Sequence, residues 1–360
     1  MNQLSNKVIL VDAHSILTNV KIFFDLSFWS VLGCLSRIAL SKLTYYDNNY
    51  VHNNGVSVVW VNFTACFIMG YINSSAEVWE NLLIHDLEAT DTNGTYKLSK
   101  VEIPLYIGLT TGYCGTFSSF SSYILEILTK TLNLNGGAAY PTTGYGTMEF
   151  FAVLLTQLGL SIFGYRMGKE LGNYVDHNLG WKFSRSMISL FDFIIPILGF
   201  ALDVLMLVLS CALHNHDFWK PWSLACCFAP FGCYLRYYLA LKFNTKSDRI
   251  FIGTYLANFI AVLVLAITTL LSYGKKPYGG DEYIVDDYLS CLVLDAISIG
   301  FSGSLSTVST FVAELFGFGK VKDRYIYGSF SICSCFVLMM LILGVYNWVV
   351  GLNSATFCEL

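Results

Sequence analysis

Two short stretches hold the residues in this chain that could do chemistry. Residues 112–123 read GYCGTFSSFSSY, and residues 300–311 repeat the pattern as GFSGSLSTVSTF, 188 positions later. Each pairs two glycines three apart with a run of hydroxyls and ends on side chains three residues apart, Phe120 and Tyr123 in one, Val308 and Phe311 in the other. Glycine lacks a Cβ and visits non-helical conformations cheaply, so Gly112/Gly115 and Gly300/Gly303 predict an interrupted helix. Side chains three apart share a face once the helix resumes. Hydroxyl and amide groups can donate to an anion. Covalent catalysis would need a nucleophile–base pair or a metal site. The six histidines all fall outside the apolar segments, so the chemistry expected is passage of an ion, not enzymatic turnover.

The elements that must position these residues lie in a membrane. Apolar residues make up 55% of the 360, charged ones only 13%, too little charge to cover soluble domains. The net charge of −4 offers no footprint for nucleic acid. The first 25 residues are polar around a short apolar run and carry no cleavage signature. Apolar spans then recur near 26–42, 56–78, 102–132, 147–168, 187–213, 222–242, 250–273, 286–317 and 325–350. That makes nine, and the two overlong ones carry the glycine pattern. Most of the eleven cysteines lie within spans and read as small packing residues. His214 and His216 are close enough to chelate a metal, which is weak evidence for a site.

Spans 1–4 and 6–9 form an internal repeat. Arg37 returns as Arg236, Asn62 as Asn258, the broken stretch as its copy, and Glu126 as Glu314. A four-span unit copied in tandem would insert the same way up, so span 5 adds the crossing that inverts the second copy. With the N-terminus on one side, that side collects fourteen Lys and Arg residues and the other five. The excess marks the cytoplasm and puts the C-terminus outside. The fold class expected is therefore an all-α polytopic membrane protein. Residues 1–25 form a cytoplasmic segment, 26–172 a first four-helix repeat, 187–213 an inverting linker helix, and 222–350 a second repeat. Duplicated broken helices at membrane depth point to an ion site between repeats. The sequons at Asn62, Asn73 and Asn93 would then lie in the membrane or the cytoplasm and stay unglycosylated.

These residues resemble the Fluc/CrcB family of fluoride channels, and the duplicated nine-span form resembles the fungal fluoride export proteins. The resemblance covers both repeats and leaves out the N-terminal segment and the 79–100 loop. It implies two antiparallel four-helix units forming two pores, here supplied by one chain that needs no obligate protein partner beyond the lipid bilayer. It also implies roles. Gly115, Ser118, Gly303 and Ser306 would hold a structural sodium ion by their carbonyls. Asn62 and Asn258 would be pore asparagines. Phe120 with Phe311 would form the aromatic box of one pore, and Tyr123 with Val308 a degenerate box in the other. Ser121, Ser122, Ser309 and Thr310 would lie along the pathway, and Glu126 and Glu314 at its mouths. Tyr327 and Ser331 match a hydroxyl track on the last span, for which the first repeat offers only Thr156 and Ser161.

Fluoride is small and strongly hydrated, so a pore must replace its water with donors, while positive ring edges can face the anion. Binding at several weak points lets the ion leave again. The function implied is a passive plasma-membrane channel exporting fluoride and giving fluoride resistance. The alternative is a proton-coupled fluoride or small-ion transporter, for which Asp192 and Asp203 on span 5 are the candidate acids. Two readings of Arg37 and Arg236 stand: they draw anions in, or they pair with carbonyls and acids.

Overall fold

The computed structural model describes residues 2–46, 57–75, 79, 103–134, 140–142, 144–179, 185–214, 218–278 and 280–359. The 79–100 loop beyond residue 79, the Asn93 sequon, Lys97, Lys100, Lys182 and His216 lie outside these. Among the described residues the chain is nearly all helical, with two isolated bridge pairs and no strand.

Helix α1 spans Asn2–Leu43 and α2 spans Val59–Ser74. The first interrupted run comprises α3 (Pro104–Ile107), a π-helical turn (Gly108–Cys114), α4 (Gly115–Phe117) and α5 (Phe120–Leu132). Then come α6 (Gly144–Leu179), α7 (Arg185–Ala212), α8 (Lys220–Phe243) and α9 (Ile252–Tyr273). The second interrupted run is α10 (Tyr288–Ala296), a π turn (Ile297–Ser302), α11 (Gly303–Leu305) and α12 (Ser309–Gly317). Finally α13 (Val321–Met339) passes through a π turn (Met340–Gly344) into α14 (Val345–Val349). Among the described residues seven helical stretches are long and apolar enough to cross a membrane. The 16-residue α2, which is too short, and the divided run 104–132 are the two expected spans outside these seven. The protein is a polytopic helical membrane protein.

Helix α1 runs on through the polar N-terminal segment, because residues 2–32 contain neither Gly nor Pro to stop a helix. One expectation needs correcting. The glycines are not where the interrupted runs bend. Gly115 (φ −66°, ψ −34°) and Gly303 (φ −65°, ψ −30°) are helical, and the chain turns extended three residues later, at Ser118 (φ −79°, ψ 157°) and Ser306 (φ −87°, ψ 155°). These glycines are required for space. A Cβ on Gly115 or Gly303 would lie 2.6 Å from the guanidinium carbon of Arg236 or Arg37 respectively.

Small residues set the other contacts. Helix α2 lies against α6 along Gly164, Gly168 and Gly172, and Cβ atoms there would strike Phe63, Phe67 and Ser74. Gly70 meets the Tyr165 carbonyl from the opposite side. Such small-residue seams let backbones approach where lipid supplies no hydrophobic drive. Helix α7 packs its Gly199 on the Phe24 carbonyl of α1, and Asp203 accepts a 2.5 Å hydrogen bond from Ser27. Its other face, including Leu190, Phe193, Ile197, Phe200 and Val204, is exposed and apolar, as a lipid-facing helix requires.

The C-terminal tail is tied down. Cys358 forms a disulfide with Cys291 at the start of α10, so these two cysteines are cross-linking rather than packing residues. Nearby, Lys275 N donates to Gly351 O and Asn353 N to Tyr273 O, and Phe357 meets Tyr283 edge to face.

Candidate ion pathway

The two interrupted runs meet, and each serine at a break caps the other run. The first amides of a resuming helix lack intrahelical acceptors and need side-chain oxygens. Ser118 Oγ accepts from Val308 N (3.2 Å) and Ser309 N (3.1 Å), while Ser306 Oγ accepts from Ser121 N (3.1 Å). Local caps complete the turn, with Ser122 N donating to Ser119 Oγ and Thr310 N to Thr307 Oγ1, each at 3.2 Å. Ser121 and Ser309 therefore sit in the seam: Ser121 Oγ lies 2.9 Å from Ser306 Oγ, and Ser309 Oγ donates to Cys114 O at 2.9 Å. Ser122 and Thr310 bond the capping hydroxyls beside them, at 2.8 and 3.3 Å.

Both buried arginines bond carbonyls of these runs. Arg37 donates to Thr116 O at 2.6 Å and to Ile299 O, joining the two runs through one guanidinium. Arg236 donates to Thr111 O at 2.6 Å, and its Nε and Nη1 have no protein partner. Thr111 and Ile299 are 188 apart, so each arginine reaches the matching carbonyl of the other repeat.

The asparagines are held alike. Ser119 N donates to Asn62 Oδ1 (2.9 Å) and Thr307 N to Asn258 Oδ1 (2.8 Å). A line of buried aromatic and hydroxyl groups also runs from the interrupted runs into α13. Phe311 meets Phe120 at 5.3 Å, ring edge to face, and Tyr327 at 5.3 Å. Tyr327 donates to Glu314 at 2.7 Å. One turn along α13, Ser331 is fully buried and its hydroxyl has no protein partner.

The first repeat carries a matching line in which Ser161 is placed as expected and Thr156 is not. Thr156 is exposed, and Gln157 faces inward instead. Gln157 and Ser161 stand 170 positions before Tyr327 and Ser331, and Ser161 is likewise a buried hydroxyl without a protein partner. Gln157 Nε2 donates to Glu126 Oε2 at 2.5 Å, the bond that Tyr327 makes to Glu314. Glu126 is buried and also accepts from Val58 N at 3.0 Å; Glu314 accepts from Thr254 (2.5 Å) and Asn244 (3.4 Å). The constant 170-residue offset could have revealed Gln157, whereas Asn244 comes close only through folding.

Asn62, Phe120, Tyr123, Gln157, Ser161, Val308 and Phe311 line one small pocket. All four box positions thus border it. Asn258, Tyr327 and Ser331 lie outside it.

For a sodium ion, the Ser118 and Ser306 peptides leave the helix at the breaks, which releases carbonyl oxygens from the helical ladder. Hard oxygen donors of this kind fit a small hard cation.

A family model described as "CrcB-like protein, Camphor Resistance (CrcB)" matches residues 26–164 and again 223–345. Fluoride export protein 1 of Candida albicans is 41% identical over 329 residues, 90% of this chain and 79% of that protein. Fluoride export protein 1 of Saccharomyces cerevisiae is 30% identical over 96% of this chain and 98% of its own length. Fluoride-specific ion channel FluC 2 of Prochlorococcus marinus is 28% identical over 158 residues, 44% of this chain but 96% of that protein. No solved structure matches. The doubled match and the extent of these likenesses establish that the chain belongs to the CrcB family.

Proposed function

We propose that this protein is a passive fluoride channel that exports the ion across the plasma membrane and gives the cell fluoride resistance. The observation that carries this reading is the buried line Phe120, Phe311, Tyr327 and Ser331, two ring edges and an unpartnered hydroxyl, with the Asn258 amide held at the break of the same run as Phe311. A dehydrated anion needs donors that are not already consumed, and leaving a buried donor unpaired costs about 1–3 kcal/mol. An ion passing Ser331 meets such a donor. The names of the related proteins, fluoride export proteins and a fluoride-specific channel, supply the ion.

In this reading the two halves are inverted repeats joined by α7, with the N-terminus cytoplasmic and the C-terminus outside. The chain works without an obligate partner. Gly115, Ser118, Gly303 and Ser306 would hold a sodium ion that pins the crossing, and Glu126 and Glu314 stand at the ends of the two polar lines. An inside-negative potential drives an anion outward by about 2.3 kcal/mol per 100 mV, so export needs no coupled proton. Asp203 is hydrogen-bonded to Ser27 at the α1–α7 contact. The pathway on the Phe120, Phe311 and Tyr327 side conducts, and the side that pairs Val308 with Tyr123 is degenerate. Expression in a host stripped of its own fluoride export should restore growth in fluoride. Growth no better than with the empty vector, with protein present at the cell surface, would sink the reading.

A further inference from the structure

The two asparagines differ in what their free amide nitrogen does. Each has its Oδ1 fixed by a backbone amide of the break. Asn258 Nδ2 makes a single long contact, 3.4 Å to Thr307 O. Asn62 Nδ2 makes the equivalent contact to Ser119 O at 3.5 Å and also donates to Gln157 Oε1 at 3.3 Å. The direction of this chain is set by chemistry. Glu126 accepts from Val58 N and so presents an acceptor to Gln157, which must turn its NH2 toward the carboxylate and its carbonyl toward Asn62. Hydrogen bonds therefore run from Asn62 to Gln157 to Glu126. Tyr327, at the matching place, uses its one hydroxyl proton on Glu314 and makes no bond to Asn258.

We propose that Gln157 silences the pathway beside Asn62, by taking the amide donor that an anion there would need. A glutamine can do this because it carries a donor and an acceptor on one rigid amide; a phenol held by a carboxylate makes no such bridge here. The proposal rests on the fluoride-channel reading and adds a cause for the asymmetry separate from the shortness of Val308. Enlarging Val308 alone would leave Asn62 engaged.

The test silences the other pathway first and then unlocks this one. Asn258→Leu is combined with Val308→Phe alone, and with Val308→Phe plus Gln157→Tyr. Each monodisperse protein is reconstituted in phosphatidylcholine–phosphatidylglycerol liposomes, and fluoride efflux is read with an electrode under a potassium–valinomycin potential. Where tyrosine prevents recovery of monodisperse protein, Gln157→Met likewise removes the bond to Asn62. Adding the Gln157 change should raise efflux about tenfold or more over Asn258→Leu/Val308→Phe, the effect of freeing one buried donor. Equal efflux in the two combinations overturns the proposal, whether both are silent or Val308→Phe has already restored the flux. Wild-type efflux from Asn258→Leu alone instead sinks the assignment of the working pathway, and this proposal with it.

Discussion

At the scale of the residue, the account turns on which buried donors are free. Asn258 and Ser331 keep unspent hydrogen-bonding capacity beside a line of rings, so replacing Asn258 by Leu should cost fluoride flux about tenfold to a hundredfold. Cells carrying Asn258→Leu should become fluoride-sensitive while the protein still reaches the membrane; full tolerance would reduce the asparagine to a packing residue. The rings make a second, sharper comparison. Phe120 and Phe311 meet edge to face, so Phe120→Ile or Phe311→Ile removes the positive ring edges that an anion passes. Electrode-measured efflux should fall to near background in both and stay close to wild type in Val308→Ala and Tyr123→Ile. Equal damage from all four would mean that both pathways conduct.

At the scale of the element, the interrupted runs hold their shape by mutual capping and by two guanidinium groups seated on glycines. A methyl group at Gly303 would have to displace Arg37 from the carbonyls it joins, so Gly303→Ala should lower the thermal midpoint of detergent-solubilised protein more than Gly317→Ala, which meets nothing. The ion-paired loop before α10 supplies a pH expectation. Asp281 and Asp286 are held below the usual carboxylate range by hydrogen bonds from Lys275 and Lys276, and Asp287 by the Ser290 amide it caps. Groups with lowered values contribute above their ordinary pKa and lose that contribution only as pH falls through the lowered one. Protease resistance of the loop and tail should thus persist down to about pH 4, the ordinary aspartate value, and fall below it. Much of this scale was legible beforehand: the 188-residue recurrence located both interrupted runs, and Arg37, Asn62 and Glu126 had visible partners. What escaped notice was the purpose of the glycines and the inward face of α6. A glycine that yields to an arginine and one that bends a chain look alike in sequence. The 170-residue offset between α6 and α13 did point to Gln157, but a glutamine does not look like the counterpart of a tyrosine.

At the scale of the whole molecule, orientation and transport mode remain to be tied to the fold. The Cys291–Cys358 disulfide belongs on an oxidising face, which accords with a C-terminus outside the cell. On intact cells, an impermeant reductant followed by an impermeant maleimide should label Cys358, and a tag on the N-terminus should stay inaccessible. Labelling of both ends from one side would remove the inverting role of α7 and the two-fold architecture with it. The central claim is that one chain conducts fluoride passively, and it is tested by purified protein in liposomes loaded with fluoride. A potassium–valinomycin potential is imposed with the pH equal on both sides, and efflux is followed with a fluoride electrode. A channel predicts rapid efflux that follows the voltage and is indifferent to an added pH gradient. Efflux that appears only with a pH gradient, or that moves protons in fixed ratio to fluoride, would contradict it.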